Sequence, residues 1–170
     1  TAEAMRHLIG SGYKRIAHAT FVKADSAHRS RRMAYDTAMR DAGLEAEYIE
    51  YPLCEDQRAM VRALIREYVS ANGTPDAIFC HSDDVMLGIY SGLCDMGIRV
   101  PAQVALVGCD GIEDTEYLEV PLTTLVQPVP EMCAKAWDYL KGRIENPTRK
   151  ARTKTFFPKL EIRSSSRRPS

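Results

Sequence analysis

The sequence predicts an α/β protein with a doubly wound parallel sheet, and three observations predict it. Short apolar runs alternate with helix-period segments along most of the chain. Two of those runs, 76–80 and 104–107, end in polar tips, His81-Ser82-Asp83-Asp84 and Gly108-Cys109-Asp110. The segment between them has a helical period and closes on Gly97, so the order is strand, tip, helix, strand, tip. Strands joined by a helical crossover run parallel, their carboxyl ends share one edge, and that edge is where open sheets bind ligands. Ser82, Asp83, Asp84 and Asp110 are therefore expected in one crevice, although about 27 residues of chain separate the tips.

Each element has its own signal. A helix is expected over 1–11, stopped by Gly12, then a strand over 15–21. A second helix spans 26–42, with Met33, Ala34, Thr37, Ala38 and Met39 along one face and Gly43 as its stop. A strand over 46–51 leads to a helix over 56–71 that carries Met60, Leu64, Ile65 and Tyr68 at helical spacing. The strand 76–80 is followed by a helix over 83–96, for which Asp83 is the expected N-cap. Gly88 and Gly92, four apart on that helix, permit a close approach to the sheet or to a partner subunit, the sheet being the simpler reading. After the strand 104–108 the pattern changes. An acidic loop over 111–121 precedes a strand over 122–126 and a helix from about Pro130 to Ile144. Two short strands, 153–157 and 159–162, are split by Pro158, and the terminal Ser-Ser-Ser-Arg-Arg-Pro-Ser is expected to fray.

Composition narrows the function classes. In 170 residues, 45% hydrophobic and 27% charged, there is material for one sizeable core. No apolar run nears the ~20 residues of a membrane span, and no signal peptide is visible. The chain opens on what reads as a helix in progress, which suggests a fragment of a longer protein. Net charge is zero but polarised. Residues 141–170 hold ten Lys/Arg against two Asp/Glu, and the rest of the chain carries the opposite excess. The basic end reads as a solvated segment rather than a phosphate site. Five cysteines (54, 80, 94, 109, 133) without C-x-x-C spacing fit a reducing cytoplasm better than a disulfide framework. No metal is expected. Cys80 and His81 are strand neighbours that point to opposite faces, so they do not converge with Cys109 on zinc.

Two constellations carry candidate chemistry. Asp83, Asp84 and Asp110 could gather Mg²⁺ for phosphotransfer, but the simpler reading makes Asp83 a cap and Asp84 a first-turn charge. Arg29, Arg31 and Arg32 open the helix after the first parallel strand, near the edge where Asp110 ends its strand. Among them Arg31 is the best candidate. A guanidinium fork of donors beside an acceptor-only carboxylate suits a hydroxyl-rich or weakly acidic small molecule. No G-x-S-x-G, H-E-x-x-H, G-x-x-x-x-G-K-[ST] or G-x-G-x-x-G is present, so neither catalysis nor a cofactor is indicated.

Several stretches resemble the ligand-binding core of the lactose-repressor/galactose-repressor (LacI/GalR) family of bacterial transcription regulators. They are the run 4–16, Arg31-Arg-Met-Ala-Tyr35, Pro75-Asp-Ala-Ile-Phe79, Ser82-Asp-Asp-Val-Met-Leu-Gly88, Gly97-Ile-Arg-Val-Pro101 and Val107-Gly-Cys-Asp110. The run Pro121-Leu-Thr-Thr-Leu-Val-Gln-Pro128 is the most distinctive. The resemblance implies a type I periplasmic-binding-protein-like clamp, of which this chain is mainly the C-terminal subdomain (14–126 and 150–166). The helices 1–13 and 128–146 would belong to the N-terminal subdomain and pack on a sheet this chain lacks. It implies Arg31 and Asp110 as effector contacts, Ser82 at a position that is often Asn, and Gln127 at a crossover between subdomains. The effector would be a sugar or related small metabolite, the partner a second copy in a homodimer, and the location cytoplasmic. Operator DNA would be bound only through an N-terminal helix-turn-helix that this chain does not contain. Ala34, Cys109 and Cys133 depart from the family's usual Gly, aromatic and Gly, and Ser82 in place of Asn shortens one reach and leaves effector identity open. A transporter's periplasmic sugar-binding protein and a Mg²⁺-dependent phosphotransfer domain are the alternative readings.

Overall fold

The computed structural model describes residues 1–22 and 26–168, without the side chains of 26–29. The elements are α1 (Ala2–Gly10), β1 (Ile16–Phe21), α2 (Ser26–Asp41), β2 (Glu47–Tyr51), α3 (Gln57–Asn72), β3 (Ala77–Cys80), α4 (Asp83–Asp95), β4 (Ala105–Asp110), β5 (Thr123–Val126), α5 (Val129–Glu145) and β6 (Lys159–Glu161). They form one six-stranded sheet in the order β2-β1-β3-β4-β5-β6. The pairs from β2 to β5 are parallel, and β6 closes the edge antiparallel to β5.

Period-two alternation distributes the core over both faces. Ala17, Ala19, Ile78, Cys80 and Leu106 pack with Val61 and Ile65 of α3 and Val85, Met86, Ile89 and Leu93 of α4. Ile16, Ala77, Phe79, Ala105 and Val107 pack with Met5 and Leu8 of α1 and Tyr35 and Met39 of α2. The buried Tyr35 hydroxyl donates to the Ile16 carbonyl at 2.7 Å and accepts from the Glu47 amide at 2.9 Å, tying α2 to β1 and β2.

Several expectations are corrected. The face of α2 that reaches the core is set by Tyr35 and Met39, while Met33 stands 60% exposed. Gly88 and Gly92 serve the approach of α4 to α3, not to the sheet. A Cβ on Gly92 would sit 2.3 Å from Ile65 Cγ2 and 2.6 Å from the Arg62 carbonyl oxygen. The expected strand over 153–157 is irregular chain. Nor does α1 lack a partner, because Ala4, Met5 and Leu8 are fully buried against this chain's own sheet and α2. By contrast α5 shows a bare apolar face, with Trp137, Leu140 and Ile144 all more than half exposed.

The serine-rich end does not fray at residues 164–166. Ser165 and Ser166 are fully buried. Ser165 Oγ donates to the Leu106 carbonyl at 2.7 Å and accepts from the Thr123 amide at 2.8 Å. Ser166 Oγ pairs with Thr123 Oγ1 at 2.7 Å and His7 Nε2 at 2.8 Å. Hydroxyls that both donate and accept can enter such an interior, because they meet the backbone groups of Leu106 and Thr123. The adjacent Arg163, taken in the sequence as part of a solvated basic end, pairs with Glu116 at 2.6 Å and Glu161 at 3.1 Å.

One buried base gives the fold a pH dependence. His18 on β1 stacks on Phe79 at 4.9 Å, and its Nδ1 meets the Phe79 carbonyl at 3.0 Å, which places the proton on Nδ1. Its Nε2 is buried without a hydrogen-bond partner. Burial pushes its pKa from 6.5 down to about 4. The folded state therefore binds the proton less readily than the unfolded chain. The resulting stability is complete above about pH 6.5 and is lost as the pH falls toward about 4, at roughly 3 kcal/mol for the whole interval. Chemical denaturation across this range should show that loss, and His18→Phe should flatten it. A separate packing test is Gly92→Ala, which should cost about 1–3 kcal/mol by urea denaturation because helix backbones must separate.

Candidate functional site

The carboxyl edge of the parallel sheet collects the residues singled out from the sequence. After β3, Ser82 is the N-cap of α4, and its Oγ accepts from the Val85 amide at 3.4 Å. Asp83, expected as the cap, does something else. It is fully buried, with Oδ2 accepting from the Gly111 and Ile112 amides at 2.7 and 3.0 Å and Oδ1 accepting from the Thr124 hydroxyl at 2.7 Å. Asp84 lies outside, paired with Arg58. Among the described residues no three His, Cys, Asp or Glu side chains are arranged to hold a metal ion.

At the end of β4 the chain turns sharply. Asp110 has φ 125° and Gly111 φ 79°, both in the region that favours glycine. A Cβ on Gly111 would lie 2.8 Å from Val126 Cα, so the turn presses against β5. This geometry brings the Asp110 carboxylate to Arg31 of α2 and Gln127 after β5. Arg31 Nη1 donates to the His81 carbonyl at 2.6 Å and Nη2 reaches Asp110 Oδ1 at 3.5 Å. Gln127 Nε2 donates to the same oxygen at 2.6 Å. Burial raises the Asp110 pKa above its ordinary value, opposed by the Arg31 charge and the Gln127 amide.

The charged pair is only loosely closed. The Arg31–Asp110 contact is longer than the 2.7–2.9 Å of a closed charge-assisted bond. The Asp110 carboxylate is favoured in addition by a hydrogen bond from the backbone of Asp83. Arg31, Asp110 and Gln127 line a cavity of about 270 Å³ together with the apolar Leu125, Pro128 and Met132. That volume is near the lower end for small-molecule sites. Arg32 is turned away, bonded to Glu50 at 2.8 Å and lying 4.0 Å over the Tyr48 ring. Arg29 lies outside the described side chains.

Of the four expected contacts, three converge on the cavity, and Ser82 does not line it. The sequence reading missed Lys154 and Phe156, which close its outer side. Their segment was assigned to a strand. The available signal was the pair Phe156-Phe157, where Phe156 is partly covered and Phe157 is 83% exposed. The positive φ of Asp110 gives a test of the turn itself. Asp110→Gly and Asp110→Ala both delete the carboxylate, but only glycine relaxes the backbone. Thermal unfolding should find the glycine variant the more stable by about 1 kcal/mol, against glycine's usual disadvantage.

Comparison with known proteins places this geometry among ligand-binding folds. Residues 5–166 match the periplasmic binding protein-like domain. The chain is 29% identical to the ribose operon repressor of Haemophilus influenzae over 164 residues, covering 95% of this chain and 49% of that protein. It is 30% identical to the HTH-type transcriptional repressor PurR of Vibrio vulnificus, covering 95% and 48%. The chain thus spans about half the length of the curated relatives it matches. A LacI family transcriptional regulator from Enterococcus faecium, solved with bound ribose, superposes with a TM-score of 0.85 at 21% identity, over 97% of this chain and 61% of the other. At that identity the likeness is one of fold.

Proposed function

The chain belongs to the periplasmic-binding-protein-like family, beside its LacI-type regulators, and we propose that it is the effector-sensing region of such a regulator. The effector is a small polar metabolite, with a sugar as the favoured class, held by Arg31, Asp110 and Gln127. The observation that carries this reading is their convergence on one cavity at the carboxyl edge of the parallel sheet, with the Arg31–Asp110 pair only loosely closed at 3.5 Å. A pyranose or furanose ring offers neighbouring hydroxyls that each donate and accept, which matches a guanidinium beside a carboxylate. The ribose in the name of one relative and in the structure of another supports the same class. Ser82 stays in the proposal as a contact from the neighbouring strand tip, reaching the ligand when the crevice closes.

The response is read out by operator DNA through an N-terminal helix-turn-helix outside this chain, in the cytoplasm. That the relatives are repressors favours binding over catalysis. The helices 1–13 and 128–146 are proposed to meet the N-terminal subdomain, α5 through its bare apolar face. A second copy is proposed to dock on the α3–α4 face, where Tyr117 is 76% exposed beside a hollow of about 610 Å³. No helix among the described residues is long and apolar enough to cross a membrane.

Calorimetric titration of the intact parent protein with a panel of pentoses and hexoses tests the reading. One saturable binder is expected. Asp110→Asn and Arg31→Lys should each weaken it by roughly 10–100-fold, the range set by about 1.5–3 kcal/mol for a hydrogen bond to a charged group. A panel without a saturable binder overturns the sugar assignment, and unchanged affinity in both variants overturns the site.

A further inference from the structure

We propose that Asp83 is a positioning residue for the effector site, holding Asp110 in the left-handed backbone conformation from which its carboxylate meets Arg31 and Gln127. The proposal rests on the effector reading above and adds a residue that does not line the cavity. Its starting point is an anomaly. An aspartate on a helix-starting tip normally caps the helix, yet here Ser82 is the cap and Asp83 turns inward to full burial. A buried carboxylate needs compensation, and burial does raise its pKa, opposed by the Thr124 hydroxyl and the Ile112 and Gly111 amides.

What those amides belong to decides the role. They are the two that immediately follow Asp110, and one oxygen, Oδ2, gathers both at 2.7 and 3.0 Å. A non-glycine residue at φ 125° is strained, and Asp110 in that conformation persists only where the surroundings over-determine it. Charge-assisted bonds to the amides on the far side of Asp110 supply that constraint. The other oxygen is fixed to β5 through Thr124, so the carboxylate is itself anchored at 2.7 Å. Space for it exists because residue 108 is glycine, whose Cβ would lie 2.2 Å from Asp83 Oδ1. Glycine at 108, the threonine at 124 and the glycine at 111 thus serve one carboxylate. That carboxylate in turn sets the direction of the next, on Asp110.

The test reads geometry and binding separately. Asp83→Asn keeps the shape and an acceptor but removes the charge. Thr124→Val frees Oδ1 without touching the turn and covers the case in which the first variant folds poorly. Nuclear magnetic resonance of the 170-residue chain reports the amide–alpha coupling of Asp110 and the hydrogen exchange of Gly111 and Ile112. Both variants should speed exchange at those two amides by about tenfold over other β4 amides, with the Asp110 coupling moving toward that of a negative φ. Titration of the intact parent protein with D-ribose should show affinity reduced by about tenfold, with the unliganded fold retained. The proposal is overturned if the coupling and protection persist in both variants, or if both are lost while ribose affinity is unchanged. If the unaltered protein binds no ribose, the sugar reading fails, and the positioning role stands or falls on the coupling and exchange alone.

Discussion

Parallel pairing from β2 to β5 is the constraint on which the rest of the structure depends. A parallel sheet requires each strand to be reached by a crossover, the crossovers bury both faces, and buried faces demand apolar strands. Groups that can meet a ligand are then concentrated at the strand ends. At the carboxyl edge, residues from three separate strand ends meet because nothing else in the architecture is free to put them there. The His81 carbonyl, Asp110 and Gln127 follow β3, β4 and β5, and Arg31 of α2 crosses over the first two.

The edge is shaped as much by missing atoms as by present ones. Residue 108 has no Cβ because the Asp83 carboxylate and the Met86 thioether occupy its place, and residue 111 has none because Val126 does. On the opposite side of α4, Gly88 and Gly92 bring α3 into backbone contact. That helix is therefore held close on two sides, by packing against α3 and by the hydrogen bonds Asp83 accepts from the amides after β4 and from Thr124 of β5. The strand tips it joins inherit this rigidity, and a preformed polar cluster spends less binding energy on ordering its own side chains.

The sequence made the alternating elements legible because apolar runs and helical periods are local signals, and the crevice followed from topology alone. The order of strands also made Arg31 and Asp110 convergent candidates, while Gln127 came only from the family resemblance. What it did not disclose were features decided by tertiary competition. Asp83 at a helix start satisfies every local rule for a cap, yet Ser82 takes that role and the aspartate finds better donors in a loop 28 residues away. Residues 164–166 have the composition of a frayed end, but the Ser165 hydroxyl bridges β4 to β5 and the Ser166 hydroxyl bridges β5 to His7 of α1. Met33 and Met39 both lie on the predicted apolar face of α2, and only the surrounding helices determine that the second is covered. The fit of α1 against its own sheet was obscured by its resemblance to an element of another subdomain rather than by its residues.

The two sides of the cavity differ in how they are secured. The inner side is the sheet edge, where the buried Asp83 carboxylate accepts from Gly111, Ile112 and Thr124 at 2.7–3.0 Å. The outer side is Met132 on α5 together with Lys154, Phe156 and Pro158, from a helix with only Gly142 buried and an irregular segment. Each large apolar side chain that α5 leaves in water forgoes roughly 1.5–3 kcal/mol of burial. The helix is consequently held to this chain far more weakly than α1 or α4, whose apolar residues are covered. A ligand seated on Arg31 and Asp110 would contact both sides at once. Recognition by charge and hydrogen bonding belongs to the fixed side, and any movement that accompanies binding belongs to the side whose burial is unfinished within these residues.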